Sequence, residues 1–207
     1  RVPGPRPNAT QAVKAACTED PELIYASHNE SPYFLAGLKS LAYELAEAFP
    51  RQGPQHVVVP VGGGALFLGL FYGFRELQTV GLIARMPRLH LVQAQACAPL
   101  VRAWECGEST PKPVEVGNTV AEGVCIAAPP RGREILMALR ETSGMAVAVS
   151  EEEIVSAHAQ IPNWEGLYVE PTSAVAVAGL KKLMAQEAIR PDDEVVVPLT
   201  GTGLKGT

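Results

Sequence analysis

Three consecutive glycines follow a run of apolar residues at 57–61 and precede a long apolar segment that starts at residue 65. This order is typical of a buried strand, a tight loop and a helix. Glycine amides can approach an anion closely, and the N-terminus of a helix carries partial positive charge. The loop is therefore a candidate phosphate-binding site. Its candidate amides are those of Gly62, Gly63, Gly64, Ala65 and Leu66.

Two familiar nucleotide-binding loops do not fit this segment. A Walker loop needs Gly-Lys-Ser/Thr, which is absent, and a dinucleotide fingerprint needs a third glycine where this sequence has Phe67. No acidic residue lies about twenty positions further on at a strand end, as dinucleotide binding requires. A tight strand–helix turn without any ligand remains an alternative.

A second polar glycine loop, Thr200-Gly-Thr-Gly, follows an apolar run at 195–199. Open α/β sheets bind ligands at the carboxyl ends of their strands, so Thr200 is a candidate ligand contact. Its hydroxyl could bond a neutral pyridine-type nitrogen, whereas an acidic residue there would keep such a nitrogen protonated. A polar turn stabilised by threonine hydroxyls is the alternative interpretation.

Composition excludes several classes of protein. The 207 residues are 47% hydrophobic and carry a net charge of -5, which argues against nucleic acid as the main partner. The four cysteines lack CxxC spacing, which favours reduced thiols in a cytoplasmic protein over disulfides or a metal site. The uncharged stretch 57–74 contains Pro60 and five glycines, which favours a strand, loop and buried helix over a membrane span.

Strand and helix patterns alternate along the chain and predict an α/β fold with an open, mostly parallel sheet. Ser150 and Glu153 form a capping-box pattern at the start of one helix. The predicted strands are 56–60, 89–94, 145–149 and 195–199. The predicted helices are 9–17, 35–49, 65–77, 97–104, 131–142, 151–158 and 172–187.

Several segments together resemble the threonine synthase and threonine dehydratase group of pyridoxal-phosphate enzymes of fold type II. They include YASHNESPYFLAGLKSLAYEL at 25–45, VVVPVGGGALFLG at 57–69, TVAEGVCI at 119–126, EPTSAVAVAGL at 170–180 and VVVPLTGTGLK at 195–205. The resemblance implies the three-layer α/β fold of tryptophan-synthase-β-like enzymes, incomplete in this chain. It implies that 1–50 are the end of a small mobile domain and its crossover, and that 51–207 belong to the large cofactor-binding domain.

The resemblance also implies roles for individual residues. The amides from Gly62 to Leu66 hold the phosphate of pyridoxal 5'-phosphate, and Thr200 contacts its pyridine nitrogen. Four further residues are expected near the ring or the substrate, with structural roles in a loop or at a helix start as alternatives. These residues are His28, Asn29, Glu122 and Glu170.

The sequence departs from the threonine synthase pattern at positions that are expected to contact the substrate and the cofactor. Many threonine synthases have an arginine for the substrate phosphate where this chain has Phe34, and a glutamate where it has Ala36. The glycine loop also lacks the asparagines that many threonine synthases have at Gly63 and Leu66, and so looks more like that of serine and threonine dehydratases. None of the six lysines lies in the Ser-x-Lys type of motif that provides the Schiff-base lysine.

The resemblance therefore implies a pyridoxal-phosphate-dependent lyase that forms L-threonine by elimination and replacement at the β or γ carbon. A serine/threonine dehydratase is the first alternative, and a non-catalytic fragment or binding module without the lysine is the second. We expect a small amino-acid substrate, a homo-oligomer in the cytoplasm, and a missing N-terminal part of the same enzyme that supplies the lysine. We expect this chain alone to be inactive.

Overall fold

The computed structural model describes residues 1–4, 6–29, 31–49 and 52–205. Its centre is a four-stranded sheet in the order β3-β2-β1-β4, and each pair of neighbouring strands is parallel. The strands are β1 (His56–Pro60), β2 (Arg88–Ala94), β3 (Ala146–Val149) and β4 (Val195–Val196). The predicted parallel α/β sheet is confirmed.

Eight α-helices and three short 3-10 turns accompany the sheet in the part of the chain that the structure describes. The helices are α1 (Arg6–Glu19), α2 (Pro32–Leu38), α3 (Ser40–Ala48), α4 (Ala65–Thr79), α5 (Pro99–Glu105), α6 (Gly132–Glu141), α7 (Glu151–Glu165) and α8 (Pro171–Ala185). The 3-10 turns are Gln95–Cys97, Glu122–Val124 and Gly203–Lys205.

Alternate residues of the central strand β1 point to two different hydrophobic cores. Val57 and Val59 belong to the core under α4, α5 and α6, whereas Val58 belongs to the core under α7 and α8. Every residue of β1 is buried, which explains the continuous apolar run that follows His56 in this strand. Helices on both faces of the sheet give the three layers that the resemblance implied.

Helices α2 and α3 pack on the outer surface of α4. Two glycines of α4 permit this close approach, because an added Cβ at Gly69 would lie 2.5 Å from Leu38 Cβ and one at Gly73 would lie 2.6 Å from Ala42 Cβ. The segment from Pro32 to Ala48 is therefore fixed against the helix that begins at the glycine loop. The predicted domain boundary near residue 50 stays a prediction.

Most predicted elements end within about three residues of the observed bounds, and three further differences have a physical reason. The last strand is predicted to reach residue 199, but its pairing stops at Val196, close to Pro198, which has no N–H for a sheet hydrogen bond. The predicted helix 35–49 is two helices that meet at Lys39. Helix α7 runs beyond residue 158 because Ile161 continues the buried face of Ile154.

None of the helices in the described residues is both long enough and apolar enough to cross a bilayer. The apolar stretch 57–74 divides instead into β1, the glycine loop and most of α4. The predicted strand–loop–helix interpretation of this stretch is confirmed.

Candidate functional site

The glycine loop joins β1 to α4 and leaves the first turn of α4 without a side-chain cap. Gly64 is the N-cap residue and has a left-handed backbone with φ 83°. An added Cβ at Gly64 would lie 2.1 Å from Ile135 Cδ1, so both the dihedral angle and the packing require glycine. The first N–H groups of a helix have no partner within the helix. The loop therefore presents bare amides, with the partial positive charge of α4 behind them.

Close neighbours explain the other two glycines. An added Cβ at Gly62 would lie 2.9 Å from the carbonyl oxygen of Gly123, and one at Gly63 would lie 2.7 Å from Asn29 Oδ1. The segments around Gly123 and Asn29, which are distant in sequence, thus converge on the loop.

A cleft of about 640 Å³ opens at the carboxyl ends of β1 and β4. The glycine loop and the Thr200 loop face this cleft from different strands, as expected for two adjacent parallel strands. Apolar side chains form most of its remaining wall. The residues used below that line it are Phe34, Gly62, Gly64, Ala65, Leu66, Gly123, Glu170, Thr172 and Thr200.

Ser173, which is fully buried in the first turn of α8, positions Thr200. The Gly201 N–H donates to Ser173 Oγ at 2.9 Å, and Ser173 Oγ lies 3.2 Å from Thr200 Oγ1. Ser173 then has one proton to donate, either to Thr200 Oγ1 or to the Gly201 carbonyl at 3.3 Å. When Thr200 accepts that proton, its own hydroxyl proton is free to point into the cleft.

Glu170 immediately precedes α8 but does not cap it with its side chain. Its carboxylate lies against Gly201, where an added Cβ would be 2.3 Å from Glu170 Oε1. Glu170 also lines the cleft. Its predicted role near the ring or the substrate stays a prediction.

Two candidates from the N-terminal part of the chain, His28 and Asn29, lie at the margin of the cleft. Asn29 is half-buried beside Gly63, and its carbonyl oxygen accepts a hydrogen bond from Arg131 Nε at 3.1 Å. His28 is exposed, and its ring lies 5.4 Å from the ring of Phe34, which does line the cleft. The structure thus places Asn29 at the loop and His28 outside the cleft wall.

Glu122 lies outside the main cleft. It is exposed and lines an adjoining cleft of about 630 Å³, which shares Gly123, Glu170 and Thr172 with the first. The Gly123 N–H donates to Thr172 Oγ1 at 3.2 Å and holds the turn between the two clefts. The predicted approach of Glu122 to a ring from the side stays a prediction.

No lysine is found among the described residues that line the cleft. Lys39 pairs with Glu76, and Lys112 pairs with Glu108. The adjacent residues Lys181 and Lys182 differ in their surroundings, since Lys181 is exposed and donates to Gln160 Oε1. Lys182 is half-buried and donates to the Ala148 carbonyl at 2.7 Å, so it covers a polar group of the edge strand β3.

Sequence reasoning missed Ser173, Thr172 and Arg131 as supporting residues. A serine at the start of an apolar helix is a detectable signal, because a buried hydroxyl needs a hydrogen-bond partner. No local pattern connects Arg131 with Asn29, since 102 positions separate them in the chain.

A loop of bare amides, a mainly apolar cleft and a hydroxyl at a second strand end are the features of a protein that binds a phosphorylated heteroaromatic cofactor. Comparison with known families makes this class specific. The family described as "pyridoxal-phosphate dependent enzyme" matches residues 1–201, and this chain belongs to that family. The cofactor of the family is the one that the resemblance implied.

Relatives of the chain are threonine synthases. The threonine synthase of Methanosarcina acetivorans is 35% identical over 198 residues, which are 96% of this chain and 48% of that protein. The threonine synthase of Methanocaldococcus jannaschii is 34% identical over 205 residues, or 99% of this chain and 50% of that protein. The chain therefore spans about half the length of the curated relatives it matches.

Solved structures confirm the fold. A threonine deaminase from T.th. superposes with a TM-score of 0.73 at 24% identity, over 97% of this chain and 61% of that one. The Dictyostelium discoideum serine racemase gives a TM-score of 0.73 at 17% identity, over 98% of this chain and 60% of that one. The tryptophan-synthase-β-like fold that the resemblance implied is thus confirmed for the part that this chain covers.

Proposed function

We propose that the protein to which this chain belongs is a pyridoxal-phosphate-dependent lyase that acts on a small amino acid. In the form we favour it resembles threonine synthase and forms L-threonine by elimination and replacement at the β or γ carbon. The identity to threonine synthases along nearly the whole chain supports this choice of reaction.

One observation carries the proposal. The bare amides of the glycine loop and the hydroxyl of Thr200 face the same cleft from the ends of two adjacent strands. A phosphate dianion fits the amides, and an unprotonated ring nitrogen fits a hydroxyl donor. The residues present therefore fit the cofactor of the family.

The chain's own residues would bind, orient and shield this cofactor. The amides from Gly62 to Leu66 would hold the phosphate, and Thr200, positioned by Ser173, would donate to the ring nitrogen. Bound pyridoxal phosphate supplies an electron sink that stabilises negative charge at the substrate Cα. Phe34 and the other apolar wall residues would exclude water from the reacting atoms.

A serine/threonine dehydratase is a second candidate, and a feature of the cleft favours it. Among the described residues, the cleft lining contains no arginine, lysine or histidine, and Phe34 occupies the position of the expected arginine. An apolar wall cannot neutralise a phosphorylated substrate. A hydroxy amino acid without a phosphate is better matched to this half of the cleft.

We also propose that a part of the protein outside this sequence supplies the Schiff-base lysine, and that the chain alone is a non-catalytic module. A homo-oligomer is supported by large exposed apolar side chains, including Ile24 (87% exposed) and Tyr33 (85% exposed). The four cysteines are free thiols, which supports a cytoplasmic location.

The experiment that tests the cofactor site is a binding titration with pyridoxal phosphate and with pyridoxal, followed by absorbance. We expect pyridoxal phosphate to bind at least about 10-fold more tightly, because charge-assisted hydrogen bonds contribute about 1.5–3 kcal/mol each. Thr200→Val should weaken binding of both compounds by about 5-fold, and Thr200→Ser should restore it.

Thr79→Val is the matched control, because Thr79 lies at the far end of α4 and its hydroxyl donates to the Arg75 carbonyl of the same helix. Equal affinity for the two compounds would contradict the role of the amides. A Thr200→Val protein that binds as well as the Thr79→Val protein would contradict the role of Thr200. Borohydride trapping on one lysine of this chain would contradict our placement of the lysine elsewhere.

A further inference from the structure

A second cavity lies at the opposite edge of the sheet, where the parallel strands begin. It measures about 400 Å³, and its walls include His56 and Arg88, the first residues of β1 and β2. The strand register pairs these two residues directly. The length of β1 separates this cavity from the cofactor cleft by roughly 13 Å, so the two are distinct sites.

A directed series of hydrogen bonds runs from the interior of the sheet to His56 and Asp193, two residues that line the cavity. The Met145 N–H donates to His90 Nδ1 at 3.2 Å, which leaves the His90 proton on Nε2. His90 Nε2 lies 2.9 Å from His56 Nδ1 and donates to it, and His56 Nε2 lies 3.3 Å from Asp193 Oδ2. Every ring nitrogen in this series thus has a partner when both histidines are neutral.

Burial keeps these histidines neutral. Burial, with the nearby His56 and Arg88, lowers the pKa of His90 to about 3, and burial also lowers the pKa of His56. The Asp193 carboxylate has a second partner, because its Oδ2 also accepts a hydrogen bond from the backbone N–H of Arg190 at 2.8 Å. The His56 ring therefore adds no positive charge to the cavity.

The positive charge of the cavity comes from three arginines, Arg85, Arg88 and Arg190. Within the described residues, none of them has a carboxylate within 4 Å. Among the described residues, Arg85 forms its side-chain hydrogen bond with the neutral Gln52 Oε1, at 3.3 Å. The guanidinium groups thus keep free donors beside a concave surface, although the protein as a whole has a net charge of -5.

Two carboxylates, Asp193 and Glu187, also line the cavity. Three arginines and these two acids leave a positive excess, and the acids limit how much negative charge the site can accept. Glu187 has a left-handed backbone with φ 57°, which is uncommon for a residue other than glycine and follows the end of α8. This backbone conformation holds Glu187 at the cavity wall.

We propose that this cavity is a binding site for a small anion that carries a phosphate group, held by the guanidinium groups of Arg88 and Arg190 with Arg85 at the rim. Planar guanidinium forks match the oxygens of a phosphate group. Neutral His56, fixed by its bond to Asp193, forms the base of the site. The ligand is an inorganic phosphate or a phosphate monoester, and the site would be an effector or second ligand site independent of the cofactor.

The test is a titration of the ¹⁵N-labelled chain with inorganic phosphate and with glycerol phosphate, followed by amide shifts. We expect saturable amide shifts at the cavity residues Gln55, His56, Met86, Arg88, Arg190 and Asp193, with a Kd of about 1 mM or lower. A few charge-assisted bonds can supply a binding free energy of that size. Tighter binding of glycerol phosphate would identify an ester as the preferred form, and tighter binding of phosphate would identify the free ion. Amide shifts at 62–66 that give a different Kd would show that phosphate also binds independently at the cofactor loop.

Variants that remove either a positive or a negative charge from the cavity test whether electrostatic attraction holds the anion. Arg88→Gln and Arg190→Gln should each weaken phosphate binding about 10-fold, whereas Glu187→Gln should strengthen it about 2-fold. Arg133→Gln is the matched control, because Arg133 is an exposed arginine on α6 that does not line the cavity. Linear shifts that do not saturate, or equal weakening by Arg133→Gln, would overturn the proposal. Pyridoxal-phosphate affinity should stay unchanged in Arg88→Gln, so failure of this site leaves the cofactor proposal standing.

Discussion

The two edges of the sheet offer different groups to an anion. At the carboxyl edge, uncharged groups converge: the amides that follow Gly64 and the hydroxyl of Thr200. At the amino edge, charged side chains surround a series of neutral histidines that begins at His56, the partner of Arg88 in the strand register. Backbone amides can bind an anion only if the loop keeps one conformation, whereas flexible arginine side chains can adjust their positions to the anion. The first edge should therefore tolerate little change in shape, and the second should tolerate changes of charge without unfolding.

The largest effect should come from added volume at the glycine loop. Gly64→Ala combines a left-handed backbone with a collision against Ile135, and we expect it to lower the free energy of unfolding by about 3 kcal/mol. Gly81→Ala is the matched control, since Gly81 has φ 74° and open space around it. It should cost only about 1 kcal/mol. Chemical denaturation measures both, and equal losses would mean that Ile135 does not constrain the loop.

A smaller effect should follow loss of the hydroxyl behind Thr200. Ser173→Ala removes the buried acceptor of the Gly201 N–H and should lower the free energy of unfolding by about 1–2 kcal/mol. It should also weaken pyridoxal-phosphate binding, because Thr200 loses its positioning partner. Ser156→Ala, in an exposed part of α7, is the control for both measurements. Unchanged cofactor affinity in Ser173→Ala would show that Thr200 does not depend on Ser173.

The paired histidines at the amino edge make stability depend on pH. The folded-state pKa of His90, about 3, lies below the usual value of 6.5, so the unfolded chain binds more protons between these values. Stability should fall as the pH drops through this window. In His90→Gln the slope of unfolding free energy against pH should be shallower between about pH 6.5 and 4. Parallel slopes for the two proteins would mean that His90 is protonated in the folded state.

The smallest effect should be that of Arg88→Gln on stability. The Arg88 side chain is exposed and has no ion pair among the described residues, so the change should alter the free energy of unfolding by less than about 0.5 kcal/mol. A thermal melt checks this expectation. A loss comparable to that of Ser173→Ala would show that Arg88 has a structural role, and would erase the contrast between the two edges.

Much of the carboxyl edge could be predicted from the sequence, because its signals are local. The glycine run after an apolar strand and the Thr200 loop after another each indicate a ligand-binding turn, and parallel pairing brings both to one cleft. The role of Ser173 was not predictable from spacing alone. It depends on how α8 packs under the last loop.

The amino edge could not be predicted, because its contacts are long-range. His56 and His90 meet only because β1 and β2 pair in one register, and Asp193 joins them from the loop before β4. In the sequence these residues have no common spacing. The early end of β4 has a local cause. The apolar run at 195–199 predicts a longer strand, but this run contains Pro198, and the observed strand ends at Val196.

The central claim is that the glycine loop and Thr200 together hold pyridoxal phosphate. Its most direct test is to compare amide shifts of the ¹⁵N-labelled chain with pyridoxal phosphate and with pyridoxal. We predict that shifts at Gly62–Leu66 depend on the phosphate group, whereas shifts at Thr200 and Gly201 appear with both compounds. Absence of shifts at both loops, or shifts confined to the amino edge around Arg88, would contradict the account.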